Sequence, residues 1–304
     1  MQARGRRFWY FPHTVFLSLA TTLLRLGMGS ILSNATAIGA DNGRRWKPRP
    51  IIWISVLVHG AAALSLAVHP EGWAWAVAAL LANHSVLVGA VLSPRGSWLG
   101  PNLVRLPAAA AHRGEICLTF DDGPDPVLTP QVLELLDRYR AKASFFCVGE
   151  KAAAFPELVK EIARRGHSVE NHSYHHHAVF ALFGVARLKQ EVEAAQSILT
   201  AITGRSPRFF RAPAGFRSPL LDPVLASRAL QYASWTRRGF DAVSGDPRRV
   251  LQRLTRGLAA GDVLLLHDNA RVVLTVLPAL LDEIGAKSLR PVSLAAACGE
   301  DVAA

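Results

Sequence analysis

The chain has 304 residues, half of them apolar, and a formal net charge of +11. The first 112 residues hold ten Lys/Arg residues and only two acids, so most of the positive charge flanks apolar segments. That distribution is typical of membrane topology signals and disfavours nucleic-acid binding, while three scattered cysteines exclude a disulfide framework.

Residues 1–50 form a basic N-terminal segment with an apolar stretch at residues 15–32, which is a candidate helix. The stretch resembles a signal peptide only in part. A basic cluster, residues 44–49, lies directly before the first long apolar run and argues against the signal-peptide interpretation. By the positive-inside rule this cluster stays in the cytoplasm.

Two runs without any charged residue follow, at Ile51–Val68 and Trp73–Leu92. Each is close to the ~20 residues that cross a bilayer as a helix. The short link between them suits a tight turn, so the sequence predicts a transmembrane helical hairpin over residues 51–92. Two buried core helices are the alternative. A hairpin returns the chain to the side it came from, which indicates a bacterial inner-membrane protein whose main domain faces the cytoplasm.

A Pro/Ala-rich linker is predicted at residues 93–111, and a short tail at residues 298–304. Between them, residues 112–297 show short apolar strands that alternate with helical stretches. The predicted strands cover residues 116–120, 143–148, 168–170, 209–211, 231–236, 263–266 and 291–294. Strand–helix alternation of this kind indicates a parallel sheet or barrel of the α/β class.

In such folds the functional side chains gather where strands end. The first strand ends at Asp121 and Asp122, followed by a Gly-Pro turn. Two adjacent carboxylates repel each other unless a cation or an arginine compensates them. The alternative is that one of them caps the next helix.

The third strand is followed by four histidines, residues 172, 175, 176 and 177. His172 and His176 have the four-residue spacing of helical zinc sites, and His172 with His175 is an alternative register. Two imidazoles and a carboxylate form a suitable zinc site, with Asp122 as the third ligand. A solvated loop is the alternative for the whole run.

Two further strands end in polar residues. Arg211 follows the fourth strand and can pair with a carboxylate. His267 ends the strand at residues 263–266, where an imidazole is suited to proton transfer. Each residue alone carries little information, and their joint order along the chain is the signal.

That order resembles the polysaccharide deacetylase family of carbohydrate esterases over about residues 112–297. The matching motifs are Thr-Phe-Asp121-Asp122-Gly-Pro, His172-Ser-x-x-His176, Arg211-x-Pro-x-Gly215 and Leu265-Leu-His267. The resemblance implies a distorted seven-stranded (β/α) barrel, here preceded by the predicted hairpin.

The resemblance also implies a role for each matched residue. Zinc or a similar divalent metal is held by Asp122, His172 and His176. The other expected roles are a general base at Asp121, a general acid at His267, orienting residues at Arg211 and Asp241, and substrate and oxyanion contacts at Leu265 and the Ala214 backbone N–H.

Two departures from the family pattern stand out. The fourth motif normally pairs an Asp with a Trp, whereas this chain has Phe240-Asp241-Ala242, and Asp246 is an alternative to Asp241. In the third motif, Ala214 takes the place of a bulkier aromatic residue.

The expected function is metal-dependent hydrolysis that removes N-acetyl groups from an amino-sugar glycan or glycolipid. The alternatives are a deformylase or deacetylase of a lipid-linked amino sugar, an O-deacetylase, and a catalytically silent carbohydrate-binding protein.

Overall fold

The computed structural model describes residues 45–299, so the apolar stretch at residues 15–32 lies outside the described part. The described chain begins with helices α1 (Pro50–Val68) and α2 (Trp73–Val91), joined by a short 3₁₀ turn. The amide of Asn83 donates a hydrogen bond of 3.0 Å to Ser55 Oγ between them. Both helices are long and apolar enough to cross a membrane by length and composition, and most of their surface is exposed.

The predicted linker packs against the main domain. It contains helix α3 (Ala108–His112), and Leu99 and Leu106 are buried. Leu103 adds backbone hydrogen bonds at the sheet edge: its N–H donates to the carbonyl of Tyr232, and its carbonyl accepts from Ser234 N–H, both at 2.9 Å. Residues 97–112 are therefore part of the folded domain.

The main domain is built on a parallel sheet, which confirms the α/β class. Its strands are β1 (Glu115–Asp121), β2 (Ala143–Cys147), β3 (Ser168–Asn171), β4 (Phe209–Phe210), β5 (Gln231–Tyr232), β6 (Arg237–Arg238), β7 (Val263–His267) and β8 (Arg290–Pro291). The order is β5-β4-β3-β2-β1-β7-β6, and β8 pairs with β1. The sheet curls into a half-barrel with eight strands among the described residues, where the sequence analysis expected seven.

Helices pack against both sides of this sheet: most join the apolar cluster on its outer face, and the last, at residues 294–297, joins the cluster inside the half-barrel. They are α4 (Leu128–Arg138), α5 (Gly149–Ala154), α6 (Pro156–Arg164), α7 (Val185–Thr203), α8 (Leu221–Ser227), α9 (Pro247–Thr255), α10 (Val273–Ala286) and α11 (Leu294–Ala297). The strand predicted at residues 291–294 ends early, because the Ser293 hydroxyl accepts from Ala296 N–H and caps α11.

Of the strand predicted at residues 231–236, only Gln231–Tyr232 form a strand (β5), and β6 begins just after the predicted range, at Arg237. The carbonyls of Ala233 and Ser234 accept hydrogen bonds from the Arg211 guanidinium, so these two carbonyls do not serve a strand ladder. A buried side chain thus interrupts a segment whose apolar pattern indicates one continuous strand.

The period-2 alternation of β1 separates its two faces. Ile116, Leu118 and Phe120 belong to the apolar cluster beneath the helices. Cys117 belongs to the cluster inside the half-barrel, and Asp121 shares its face at the end of the strand. The alternation thereby directs Asp121 into the interior.

Candidate active site

The predicted site residues come together at one end of the half-barrel. Parallel strands bring their carboxyl ends to the same edge. Asp121 ends β1 and is the register partner of His267, which ends β7. His172 and Arg211 directly follow the neighbouring strands β3 and β4.

Asp122, His172 and His176 form a compact group of possible metal ligands. Asp122 Oδ1 lies 3.3 Å from His172 Nε2 and 3.0 Å from His176 Nε2. The other ring nitrogen of His172 lies 2.8 Å from the carbonyl oxygen of Arg211. That oxygen can only accept, so Nδ1 carries the proton and Nε2 presents a lone pair to Asp122.

This arrangement fits a divalent cation. His172 Nε2 is buried without a hydrogen-bond donor, and the carboxylate oxygen opposite is also an acceptor. Two acceptors that face each other in a buried site are stabilised by a cation between them. The donor set of two imidazole nitrogens and one carboxylate oxygen is that of a catalytic zinc site.

His175 takes no part in this group. Its Nδ1 lies 2.8 Å from Glu191 Oε1, on the other side of the histidine loop. Of the two registers that the sequence leaves open, the structure therefore brings His172 and His176 to Asp122.

The ligands are held by unusual backbone conformations. Asp122, Ser173 and His176 have φ values of 71°, 63° and 54°, in the left-handed region that costs non-glycine residues of order 1 kcal/mol or more. Ser173 Oγ accepts from His176 N–H at 3.1 Å, and Lys151 Nζ donates to the Asp122 carbonyl at 2.6 Å. Lys151 was missed by the sequence analysis, because an exposed-looking lysine in a helical stretch carries no signal.

The charge of Asp122 is strongly favoured. Burial raises the pKa of this carboxyl, but hydrogen bonds and positive charge from protonated His172 and His176 outweigh burial and hold it well below the usual range; a metal ion would take the place of those protons. A carboxylate that stays ionised over the whole working pH range is a suitable ligand.

Asp121 is held by a fully buried Arg211. The guanidinium donates to Asp121 Oδ1 at 2.6 Å and to Thr119 Oγ1 at 2.8 Å, and it also reaches the carbonyls of Ala233 and Ser234. The other carboxylate oxygen of Asp121, Oδ2, lies 3.8 Å from His172 Nε2. One oxygen is thus anchored while the other faces the ligand group.

His267 is paired with Asp241. Its Nδ1 lies 3.0 Å from Asp241 Oδ1, and its backbone N–H donates to Asp241 Oδ2 at 2.7 Å. Burial lowers the pKa of His267, but the Asp241 hydrogen bond and the charges of Asp241, Asp121 and Asp122 raise it overall above the ordinary value. Asp246, the alternative, caps helix α9 by accepting from the N–H groups of its first turn.

Ala214 and Leu265 are the two residues expected to contact the substrate, and they differ in exposure. Ala214 is exposed in the turn Pro213–Gly215 with φ of 55°. Leu265 is buried in the inner apolar cluster together with Trp235. Gly215 has φ of 79°, and a Cβ there would lie 2.5 Å from the Trp235 ring. Trp235 was missed by the sequence analysis, although a Trp in a buried strand-like run is a signal for a pocket wall.

Asp268 also lies next to the Asp121-Asp122 turn. The Thr129 hydroxyl donates to its Oδ2 at 2.5 Å, and a Cβ on Gly123 would come within 2.2 Å of the same atom. Burial raises the pKa of Asp268 to about 7. The sequence analysis gave it no role, although it directly follows His267.

Comparison with known proteins identifies the family of this chain. Residues 108–233 match the family described as polysaccharide deacetylase. The chitooligosaccharide deacetylase of Sinorhizobium fredii is 32% identical over 174 residues, which are 54% of this chain and 76% of that protein. The chain belongs to the polysaccharide deacetylase family. It is accordingly a hydrolase of the amide deacetylase type.

Two other members of the polysaccharide deacetylase family show the extent of the similarity. A peptidoglycan-N-acetylglucosamine deacetylase of Bacillus cereus is 38% identical over 125 residues, and the match spans 40% of this chain and 45% of that relative. The solved structure of a family 4 carbohydrate esterase from Streptomyces lividans in complex with acetate is 30% identical, with a TM-score of 0.56 over 59% of this chain and 91% of that one. The shared part is the half-barrel domain.

Proposed function

We propose that the protein is a membrane-anchored, metal-dependent deacetylase that removes N-acetyl groups from amino-sugar glycans. The observation that carries the proposal is the lone pair of His172 Nε2 facing Asp122 Oδ1 at 3.3 Å, with His176 beside them. Two of the relatives above are a chitooligosaccharide deacetylase and a peptidoglycan-N-acetylglucosamine deacetylase, which supports acetylated amino-sugar glycans as the substrate class.

Asp122, His172 and His176 would hold the metal, for which the donor set favours Zn²⁺. When bound, a divalent metal supplies Lewis-acid activation of water and of the substrate carbonyl. The residues around it carry the proton transfers and the orientation.

Asp121 is the proposed general base. Its anchored oxygen leaves Oδ2 near the ligand group, where it can take a proton from the attacking water. Arg211 keeps the carboxylate in this orientation through a bond that is buried and charge-assisted. Asp121→Asn should lower kcat by at least ~100-fold.

His267 is the proposed general acid. Its raised pKa favours the protonated imidazole, which can donate a proton to the leaving nitrogen. Asp241 holds the ring by Nδ1, which leaves Nε2 for the substrate. We propose that the Ala214 N–H contacts the oxyanion and that Leu265 packs against the acyl group.

The membrane anchor is the proposed role of helices α1 and α2. They expose large apolar side chains such as Leu57, Leu64 and Trp75, which are 68%, 66% and 83% exposed. A contiguous apolar surface of this kind is typical of a protein that contacts lipid. We propose an inner-membrane location with the domain on the cytoplasmic side, as the basic cluster before α1 indicates.

One observation favours a lipid-linked amino sugar as a second candidate substrate. Pro94, just after α2, lies against the turn that carries Ala214: a Cβ on Gly215 would meet Pro94 Cβ at 3.2 Å. Arg95 also donates to the Thr236 carbonyl at 3.3 Å. The candidate site therefore lies near the end of the proposed membrane hairpin.

The test uses the purified full-length protein. Metal content and release of acetate from N-acetylated chitooligosaccharide are measured for the wild type and Asp121→Asn. We expect bound zinc in both proteins and hydrolysis only in the wild type. Absence of metal from the wild type, or equal turnover in the variant, contradicts the proposal. A polyprenyl-linked N-acyl amino sugar, assayed in parallel, separates the two substrate classes.

A further inference from the structure

A second group of metal-binding side chains lies on the same histidine loop, outside the candidate active site. His175 Nδ1 and His177 Nε2 lie 2.8 Å and 3.6 Å from the same atom, Glu191 Oε1. One ligand atom from each of the three residues falls within 4.8 Å of the others. None of them serves the proposed deacetylation.

The carboxylate of this group is fixed in place. Glu191 belongs to helix α7 and is 4% exposed. Its Oε2 accepts from Tyr174 N–H at 3.2 Å and from His175 N–H at 2.9 Å. Oε1 is left to face the two imidazoles.

His175 Nδ1 is hydrogen-bonded to Glu191 Oε1, whereas His177 Nε2 is hydrogen-bonded to Arg187 and lies beside the same carboxylate oxygen. Arg187 Nη2 lies 3.4 Å from His177 Nε2, and a guanidinium can only donate, so this nitrogen presents a lone pair. The lone pair faces Glu191 Oε1, which is another acceptor. The pattern matches that at His172 and Asp122, with Arg187 as the compensating cation. Arg187 otherwise rests over the Phe183 ring, 3.9 Å from its centroid, on the surface.

The distances suit a small divalent ion. With zinc–ligand bonds of about 2.0–2.1 Å, tetrahedral geometry places ligand atoms about 3.3 Å apart. The observed 2.8 Å and 3.6 Å lie on either side of this value. Small rotations of two half-exposed imidazoles reach it, while the carboxylate stays fixed.

We propose that His175, His177 and Glu191 form a second divalent-metal site, selective for zinc or a similar borderline metal. The ion displaces the Arg187 guanidinium and ties the histidine loop to helix α7. His176 lies between the two histidine ligands in the chain, so the second ion stabilises the strained backbone that presents His176 to Asp122. The role is structural, and it does not depend on the proposed deacetylation.

The test measures zinc stoichiometry in the full-length protein. Metal is removed with a chelator, zinc is returned by equilibrium dialysis, and bound metal is counted by mass spectrometry. We expect two equivalents for the wild type and for His69→Ala, an exposed control outside both groups. We expect one equivalent for His175→Ala/His177→Ala, and one for His176→Ala. A double variant that binds as many equivalents as the wild type overturns the proposal, whatever number the candidate active site holds, which His176→Ala reports separately.

A second variant, expected to bind zinc more tightly, tests the proposal even if the double variant fails to fold. Arg187→Ala removes an exposed cation that competes for the second site. Since like charges a few ångströms apart repel strongly, the weaker of the two zinc equivalents should bind about tenfold tighter in this variant. Unchanged or weaker binding of that equivalent contradicts the proposal, whatever the hydrolytic activity of the protein.

Discussion

The contact between Asp241 and His267 permits a quantitative prediction. Both carboxylate oxygens of Asp241 accept from His267, one from Nδ1 at 3.0 Å and one from the backbone N–H at 2.7 Å. In Asp241→Asn, one of these oxygens becomes an NH₂ group that faces a donor. The variant therefore loses the charge and at least one charge-assisted hydrogen bond, worth about 1.5–3 kcal/mol.

This loss should act through the pKa of His267. The folded-state pKa is raised, so the imidazole is a proton donor below that pKa and loses the proton as pH rises through it. A change of about 1.5–3 kcal/mol corresponds to a decrease of about one to two pKa units. In Asp241→Asn, the alkaline limb of the kcat profile should move to lower pH by that amount, and kcat at pH values above both the wild-type and the variant pKa should fall by about 10–100-fold.

The assay is deacetylation of N-acetylated chitooligosaccharide, followed by release of free amine between pH 5 and 9. Asp246→Asn is the matched control, because Asp246 caps helix α9 and does not contact His267. Its alkaline limb should stay in place. If Asp241→Asn keeps the wild-type pH profile, or if Asp246→Asn shifts it equally, the assignment of the general acid pair is refuted.

Three further predictions follow from contacts around the site. Chelation should abolish hydrolysis, and added zinc should restore it in the wild type but not in Asp122→Asn. Activity is measured after dialysis, and full activity after verified metal removal contradicts this prediction. Arg211→Lys leaves at least one of four buried acceptors without a donor, because an ammonium has only three N–H groups, so it should destabilise the protein by about 1–3 kcal/mol, measured as a lower Tm, and an unchanged Tm contradicts it. Burial raises the pKa of Glu170 to about 7 in the folded protein. The contribution of its protonation to stability is therefore fully present below about pH 4.5, and it is lost as pH rises through 7. The Tm of Glu170→Gln relative to the wild type should therefore increase from pH 5 to 8, and a constant difference is the contrary result.

The sequence was sufficient for the residues whose place depends on strand periodicity. Asp121 and His267 end buried apolar strands, so their meeting at one edge follows from the parallel arrangement alone. The matching motifs then identify the family. The same periodicity failed at residues 231–236, because a fully buried Arg211 takes two carbonyls that a continuous strand needs.

Loop residues were harder to assign because their direction depends on individual backbone angles. The choice between His175 and His176 depends on left-handed φ values at Ser173 and His176, which few non-glycine residues adopt. The choice between Asp241 and Asp246 did have a local signal. Asp246 precedes Pro247, and an Asp before a Pro at the first helical position is a common helix start.

The packed segment at residues 97–112 has a consequence for how the enzyme meets its substrate. Leu99, Leu106 and the backbone of Leu103 fasten it to the half-barrel, and Arg105 pairs with the buried Asp262 at 2.8 Å. If helices α1 and α2 span the bilayer, this packing holds the candidate active site at a fixed distance from the membrane surface, because residues 97–112 do not act as a flexible linker. A substrate glycan must then reach the site at that distance, either by diffusion in the membrane plane or through the flexibility of the glycan itself.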